Sequence, residues 1–194
     1  DGRRSVGSLR GSLYYASRYG STEEVCRWVR EGISHFPVAL HRIRERPRAE
    51  GDFFILGTPI FIGKPLPEMV AFIEENKALL RRRPVFLFIT SWAQSTPYRA
   101  ACNGFLELIC RYLKPCEPAM TASLPGKMNW DTLTVRDRQA MTRLLRRIDA
   151  RSAEFDSEGI RWSDQRDRTV CRRFGESLDG WLLNEKGERA WTER

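Results

Sequence analysis

Ser12-Leu13-Tyr14-Tyr15-Ala16-Ser17-Arg18-Tyr19-Gly20-Ser21-Thr22-Glu23-Glu24 changes its periodicity within a few residues. Residues 12–16 form a short strand-like run, and Ser17 to Gly20 reads as a tight turn. From there Val25, Trp28, Val29 and Ile33 recur at helical spacing. Ser21, with Glu24 three positions on, has the form of a capping box and predicts a helix capped by Ser21. The order is strand, tight loop, helix.

The same order repeats outward from this stretch. Val38 to Ile43 reads as a strand, and Asp52 to Gly57 is an apolar run of buried-strand length. Leu66, Met69, Val70 and Ile73 mark a helix. Pro84 to Thr90 is apolar on both faces, the mark of a central strand in a covered parallel sheet. Tyr98, Ala101, Phe105, Leu108, Ile109 and Tyr112 stripe another helix, and Glu117 to Leu124 supplies a fifth strand. Strands alternating with helices imply right-handed crossovers and an α/β fold, a five-stranded parallel sheet with helices on both faces. After Leu124 the alternation stops. A helical insertion of about 125–160 intervenes, with Val135, Met141, Leu144, Leu145 and Ile148 on one Arg-rich helix. Val170, Phe174, Trp181 and Leu182 then mark the last helix. Residues 1–10 read as a flexible N-terminus, 11–183 as one domain and 184–194 as a polar C-terminal tail.

The 194 residues suit one domain. No apolar run approaches the roughly 20 residues that span a bilayer, and no leader pattern is visible, so a cytoplasmic protein is expected. Five cysteines, no C-x-x-C pair and only two histidines point away from a zinc site or a disulfide framework, and toward reduced, mostly buried thiols. The net charge of +8 favours an anionic partner, unless the Arg clusters at 81–83, 136–151 and 161–173 are simply solvated faces.

In an open parallel sheet, ligands sit at the carboxyl ends of the strands near a topological switch point. Three loops fall there. Ser17 to Thr22 combines hydroxyls with a glycine at a helix start, where unsatisfied N–H groups suit a phosphate; the alternative is a plain strand-to-helix turn. G-x-x-x-x-G-K and G-x-G-x-x-G are both absent from it. Thr58 to Pro65 keeps Ile60, Phe61 and Ile62 where polar residues are expected. Ile60 and Ile62 are expected to plug the core, and Phe61 either joins them or covers something flat. Ser91 to Pro97 puts Trp92 at the tip of the best strand, either to stack on an aromatic ligand or to lid the core. No side chain is singled out for acid–base catalysis and none for a metal.

Ser17-Arg18-Tyr19-Gly20-Ser21-Thr22 resembles the phosphate loop of flavodoxins, written T/S-x-T/S-G-x-T, with Tyr19 in place of a small hydroxyl residue. The segment from Gly57 to Lys64 resembles the second flavin mononucleotide (FMN) loop. The nearest branch resembles the menaquinone-dependent protoporphyrinogen dehydrogenases and their flavodoxin-domain relatives: Arg18 matches an Arg in that branch's phosphate loop. The stretch from Pro125 to about Ile160, with Trp130 and Asp137-Arg138, occupies the place of its insertion. The resemblance implies a flavodoxin-like fold and FMN as cofactor. The phosphate would be held by Ser17, Gly20, Ser21 and Thr22, in a cofactor-binding loop that also holds Arg18 and Tyr19. The ring would be framed by Thr58, Pro59, Ile60, Phe61, Ile62 and Gly63 and by Ser91, Trp92, Ala93 and Gln94. It implies an oxidoreductase that takes electrons from a porphyrinogen and passes them to a quinone. The positive charge would favour an anionic membrane surface, and the Arg-rich helix from Thr134 to Ala150 either lies on it or packs on the domain. A flavodoxin-type electron carrier and a binding module without FMN are the alternatives. Nothing resembles a nucleic-acid motif, and no nucleic-acid partner is expected.

Overall fold

A computed structural model describes residues 9–150 and 157–184 of the chain. The terminal stretches 1–8 and 185–194, and 151–156 within the expected insertion, lie outside the described residues. Arg10 is held in place: its N–H donates to Asp52 Oδ2 at 3.0 Å, and its carbonyl accepts from Asp52 N at 2.7 Å.

The strands are β1 (Gly11–Tyr15), β2 (Val38–Arg42), β3 (Phe53–Phe61), β4 (Lys64–Pro65), β5 (Val85–Ser91) and β6 (Met120–Pro125). The helices are α1 (Ser21–Glu31), α2 (Pro67–Leu80), α3 (Ala101–Leu113), α4 (Val135–Asp149), α5 (Ser157–Arg161) and α6 (Arg168–Leu183). Five strands pair in parallel in the order β2-β1-β3-β5-β6, and β4 folds back antiparallel on β3. The expected five-stranded parallel sheet is present, with helices on both faces and a helical insertion before the last helix.

Alternate strand residues feed two cores. Tyr14, Phe54, Leu56, Leu87 and Ile89 point to α2 and α3, where they meet Met69, Phe72, Ile73, Ile109 and Leu113. Leu13, Phe53, Ile55, Phe86 and Phe88 point to α1 and α6, against Val25, Val29, Cys171, Phe174 and Leu178. The α1–α6 crossing is backbone-close, because Gly32 and Gly175 face each other there. Burial pushes the Cys171 thiol up to about 12 and the Cys26 thiol well above its ordinary value, so neither is a nucleophile at neutral pH.

Several expected boundaries move. The third strand does not stop at Gly57 but runs through Thr58 and Pro59 to Phe61. β1 ends opposite Gly57, so this extension has a free edge on that side, where a residue without an N–H is tolerated. Ser21 is not the helix cap: Gly20 holds that position with φ 82°, and α1 has no side-chain cap bond. Ile62, expected in the core, is exposed at φ 51°, in the tight turn it shares with Gly63; Ile60 is buried as expected. Tyr98 lies in a 3₁₀ turn, Pro97–Ala100, ahead of α3, and the fifth parallel strand begins at Met120 rather than Glu117.

The insertion leaves and rejoins the domain through one narrow neck. Lys127 and Asp164 form an antiparallel bridge, Met128 N donates to Ser163 O at 2.9 Å, and Gln165 N donates to Gly126 O at 3.1 Å. Beyond the neck, α4 turns Met141 and Leu145 inward, against Met128, Leu133, Trp92, Trp130 and Ile160. Its apolar stripe therefore packs on the domain except at Val135, which is exposed, and Arg136, Arg143, Arg146 and Arg147 stay exposed.

Candidate functional site

β1 is the strand at which the connections change direction: α1 carries the chain out to β2, whereas β3, β5 and β6 lie on the other side. At the carboxyl end of that switch point lies a cleft of about 360 Å³. Ser17 through Thr22, Pro59 through Ile62, and Ser91 with Trp92 all line it. Thr58, Gly63, Ala93 and Gln94 do not line it. Thr58 is fully buried and accepts a hydrogen bond from Leu66 N at 3.4 Å, which fixes the β3–β4 turn. Ala93 is buried and donates its N–H to Ser91 Oγ at 3.1 Å, which shapes the turn after β5.

The polar end of the cleft is built from hydroxyls. Ser17, Thr22, Thr90 and Ser91 are all buried where β1 and β5 end. Ser17 Oγ accepts from Gly20 N at 3.1 Å and closes the loop on itself. Thr22 Oγ1 and Thr90 Oγ1 are 3.0 Å apart. In such a pair one hydroxyl donates to the other, which leaves one hydroxyl hydrogen for a further acceptor. Ser21 Oγ is buried and has no hydrogen-bond partner among the described residues. The first N–H groups of α1 open onto the same place, because the first turn of a helix has no internal acceptors for them. A Cβ built on Gly20 would meet nothing within 4 Å, and Gly20, Ser21 and Thr22 all line the cleft. Neutral donors and a helix N-terminus around open space fit a phosphate.

The other end is apolar. Phe61 at the end of β3 and Trp92 from the turn after β5 pack against Met128, Leu133 and Met141. The sequence reading missed the roof residues that also line the cleft, namely Gly126 to Asn129, Thr132, Leu133 and Met141, together with Thr90, Glu24 and Arg166. A signal for the first of them was present. The turn after β6 is a fourth loop at the carboxyl edge, and it starts with a glycine. A Cβ on Gly126 would come within 2.9 Å of the Ser91 backbone, and only a residue without one allows this close approach. Arg166 carried no comparable signal. It pairs with Glu24 and Asp164 and lies 5.5 Å over the Trp28 ring.

The loop after β1 meets the insertion at Asp137 of α4, which is buried. Arg18 donates to its two carboxylate oxygens at 2.7 and 2.8 Å, and the Tyr19 hydroxyl donates to it as well. Tyr19, which replaces a small hydroxyl residue, thus points to the insertion rather than to the phosphate niche. The Arg18 guanidinium also lies 5.0 Å over the Phe61 ring. Burial disfavours the charged form of Asp137, but the hydrogen bonds from Arg18 and Tyr19 outweigh it and hold the carboxyl below its ordinary 3.8. A depressed native pKa gives stability that is present above the unfolded value and is lost as pH falls through the native one. Asp137→Asn is therefore expected to be about 1–2 kcal/mol less stable than the wild type near pH 7, discounted because Arg18 is partly exposed. Denaturant titrations should show this deficit closing as pH falls below about 4. A deficit that stays constant down to pH 2 would contradict the assignment.

Comparison with known proteins bears on the family and the fold. A family model described as a flavodoxin domain matches residues 12–155. No curated protein sequence matches the chain. Among solved structures, a flavodoxin from the domain Archaea is similar with a TM-score of 0.52 at 15% identity, over 90% of this chain and 99% of that one. A Fusobacterium nucleatum flavodoxin variant bound to flavin mononucleotide gives 0.49 at 10% identity, over 93% and 96%. The rubredoxin oxygen:oxidoreductase of Desulfovibrio gigas gives 0.49 at 14% identity over 90% of this chain, which spans 37% of the length of that enzyme. With the family model covering most of its length, and the doubly wound sheet and switch-point cleft in place, the chain belongs to the flavodoxin-domain family.

Proposed function

We propose that the cleft binds FMN and that the protein passes electrons through it. The observation that carries this reading is the buried, unpartnered Ser21 Oγ at the start of α1, beside the open space over Gly20. Ser17, Ser21, Thr22 and the first N–H groups of α1 would hold the phosphate. Phe61 and Trp92, packed with Met128, Leu133 and Met141, would supply the apolar wall for the ring. A bound flavin supplies one- and two-electron transfer; the chain's own residues position it and exclude water from its apolar end.

The finer reading is oxidation of a porphyrinogen with a quinone as acceptor. It is supported by the likeness of Arg18 and of the segment after β6 to the protoporphyrinogen dehydrogenase branch. The exposed arginines of α4 and the net charge of +8 support contact with an anionic membrane surface. No helix among the described residues is long and apolar enough to cross a membrane. A flavodoxin-type carrier is the second reading.

Titration with FMN tests the cofactor. Saturable quenching of flavin fluorescence, with a perturbed flavin absorption band, is expected. If neither change occurs, the redox assignment is wrong. The reduced, loaded protein is then mixed with a menaquinone analogue and no partner protein. Fast reoxidation is expected of the enzyme, whereas slow reoxidation assigns the carrier role.

A further inference from the structure

The loop that faces the cofactor phosphate is anchored from outside the sheet. Between Ser17 and Gly20 the chain is in neither strand nor helix, and Gly20 is in the left-handed region. The two residues inside this span, Arg18 and Tyr19, both end on the Asp137 carboxylate. Asp137 is itself fixed, because its N–H donates to Thr134 Oγ1 at 3.2 Å, and Thr134 N donates to the Tyr19 hydroxyl oxygen at 3.3 Å. The carboxylate takes up Arg18 Nε and Nη2, so the guanidinium is held on α4 at the wall of the cleft.

Resting on the FMN reading above, we propose that Asp137 is a positioning residue for the cofactor phosphate. Acting through Arg18 and Tyr19, it holds the loop of residues 17–20 in the shape that presents the α1 N–H groups and Ser21 Oγ together. The insertion is then a working part of the phosphate site, although it supplies no phosphate ligand through Asp137. The contribution is one of preorganisation: a loop already fixed in its binding shape loses little freedom when the ligand arrives.

This reading separates phosphate from ring. Riboflavin carries the same ring without the phosphate, so it measures the apolar end alone. The test titrates wild type, Asp137→Asn, Arg18→Gln, Tyr19→Phe and the Arg18→Gln/Asp137→Asn double variant with FMN and with riboflavin, following flavin fluorescence. Each single variant is expected to weaken FMN by about tenfold while changing riboflavin by less than about threefold, and the double variant to be no weaker than the worse single one, since all act on one latch. Asp137→Glu keeps the charge and is expected to recover part of the loss.

Three results with the variants overturn the proposal. If Asp137→Asn tightens FMN, a freed Arg18 is a direct phosphate ligand. If FMN and riboflavin weaken equally, the insertion only roofs the ring. If the two single losses multiply in the double variant, there is no shared latch. A wild type that binds riboflavin and FMN alike removes the phosphate site, and the positioning role with it. A wild type that binds neither defeats the FMN reading first.

Discussion

Gly175→Ala is expected to destabilise the protein by about 3 kcal/mol, near the upper end for overpacking, because the obstacle is backbone and cannot rotate away. The new Cβ would lie 2.0 Å from the Val29 carbonyl oxygen and 3.1 Å from the Gly32 Cα. Gly32→Ala meets the same crossing from the other side, with its Cβ 2.1 Å from the Arg172 carbonyl oxygen. Relief requires α1 and α6 to separate, and with them the core that Val25, Val29, Phe174 and Leu178 make beneath the sheet. Alanine's better helix propensity offsets only up to about 1 kcal/mol of this. Gly180 supplies the control within the same helix: a Cβ there meets nothing within 4 Å, so Gly180→Ala should stabilise by up to about 1 kcal/mol. Thermal unfolding reads both, at roughly 2–4 °C per kcal/mol for a domain of this size. Equal shifts for the two variants would show that the crossing is not as close as described.

Ser21→Asp is expected to separate stability from binding in the opposite sense. A carboxylate in the first turn of α1 complements the helix dipole, so the protein without cofactor should be as stable as the wild type or slightly more so. The same carboxylate would occupy the niche with the wrong charge for a phosphate dianion. FMN binding is expected to fall by at least about a hundredfold, an electrostatic penalty of a few kcal/mol for like charges a few ångströms apart and partly screened. Riboflavin affinity should change little. Ligand-linked melting shows the contrast. FMN at about a thousandfold over its Kd adds about 4 kcal/mol to the wild type, a rise of roughly 8–16 °C. Ser21→Asp should lose most of that rise. An undiminished rise would place the phosphate elsewhere.

The parts of this molecule that were legible in sequence are those decided locally. Pro84 to Thr90 is apolar on both faces because β5 lies between two strands with helices above and below, and its seven residues are all buried. The strand–turn–helix at Ser12 to Glu24 was legible because the period changes from two to 3.6 within a few residues. The end of β3 was not, since Gly57-Thr58-Pro59 carries turn chemistry. Pairing of Thr58 with Ile89 and of Pro59 with Thr90 overrides it. In the site, the hydroxyl loop and the two aromatics were legible as types at strand ends. Asp137 entered only through the resemblance, and its role was not legible, because it depends on a hydrogen bond across 119 positions of sequence that no local pattern signals. Ser21 could be placed at the helix start, but which of Gly20 and Ser21 serves as cap is settled by the left-handed turn at Gly20.

The neck at Lys127 and Asp164 bears on how such a chain can diversify. Because both ends of the roof emerge side by side, the segment between them can lengthen, shorten or be exchanged around the Asp137 latch without moving β6 or α6. Mutation can thus explore new openings above a constant floor. Selection for a different electron donor or acceptor would act on residues 128–163 while leaving the sheet that made the protein foldable untouched.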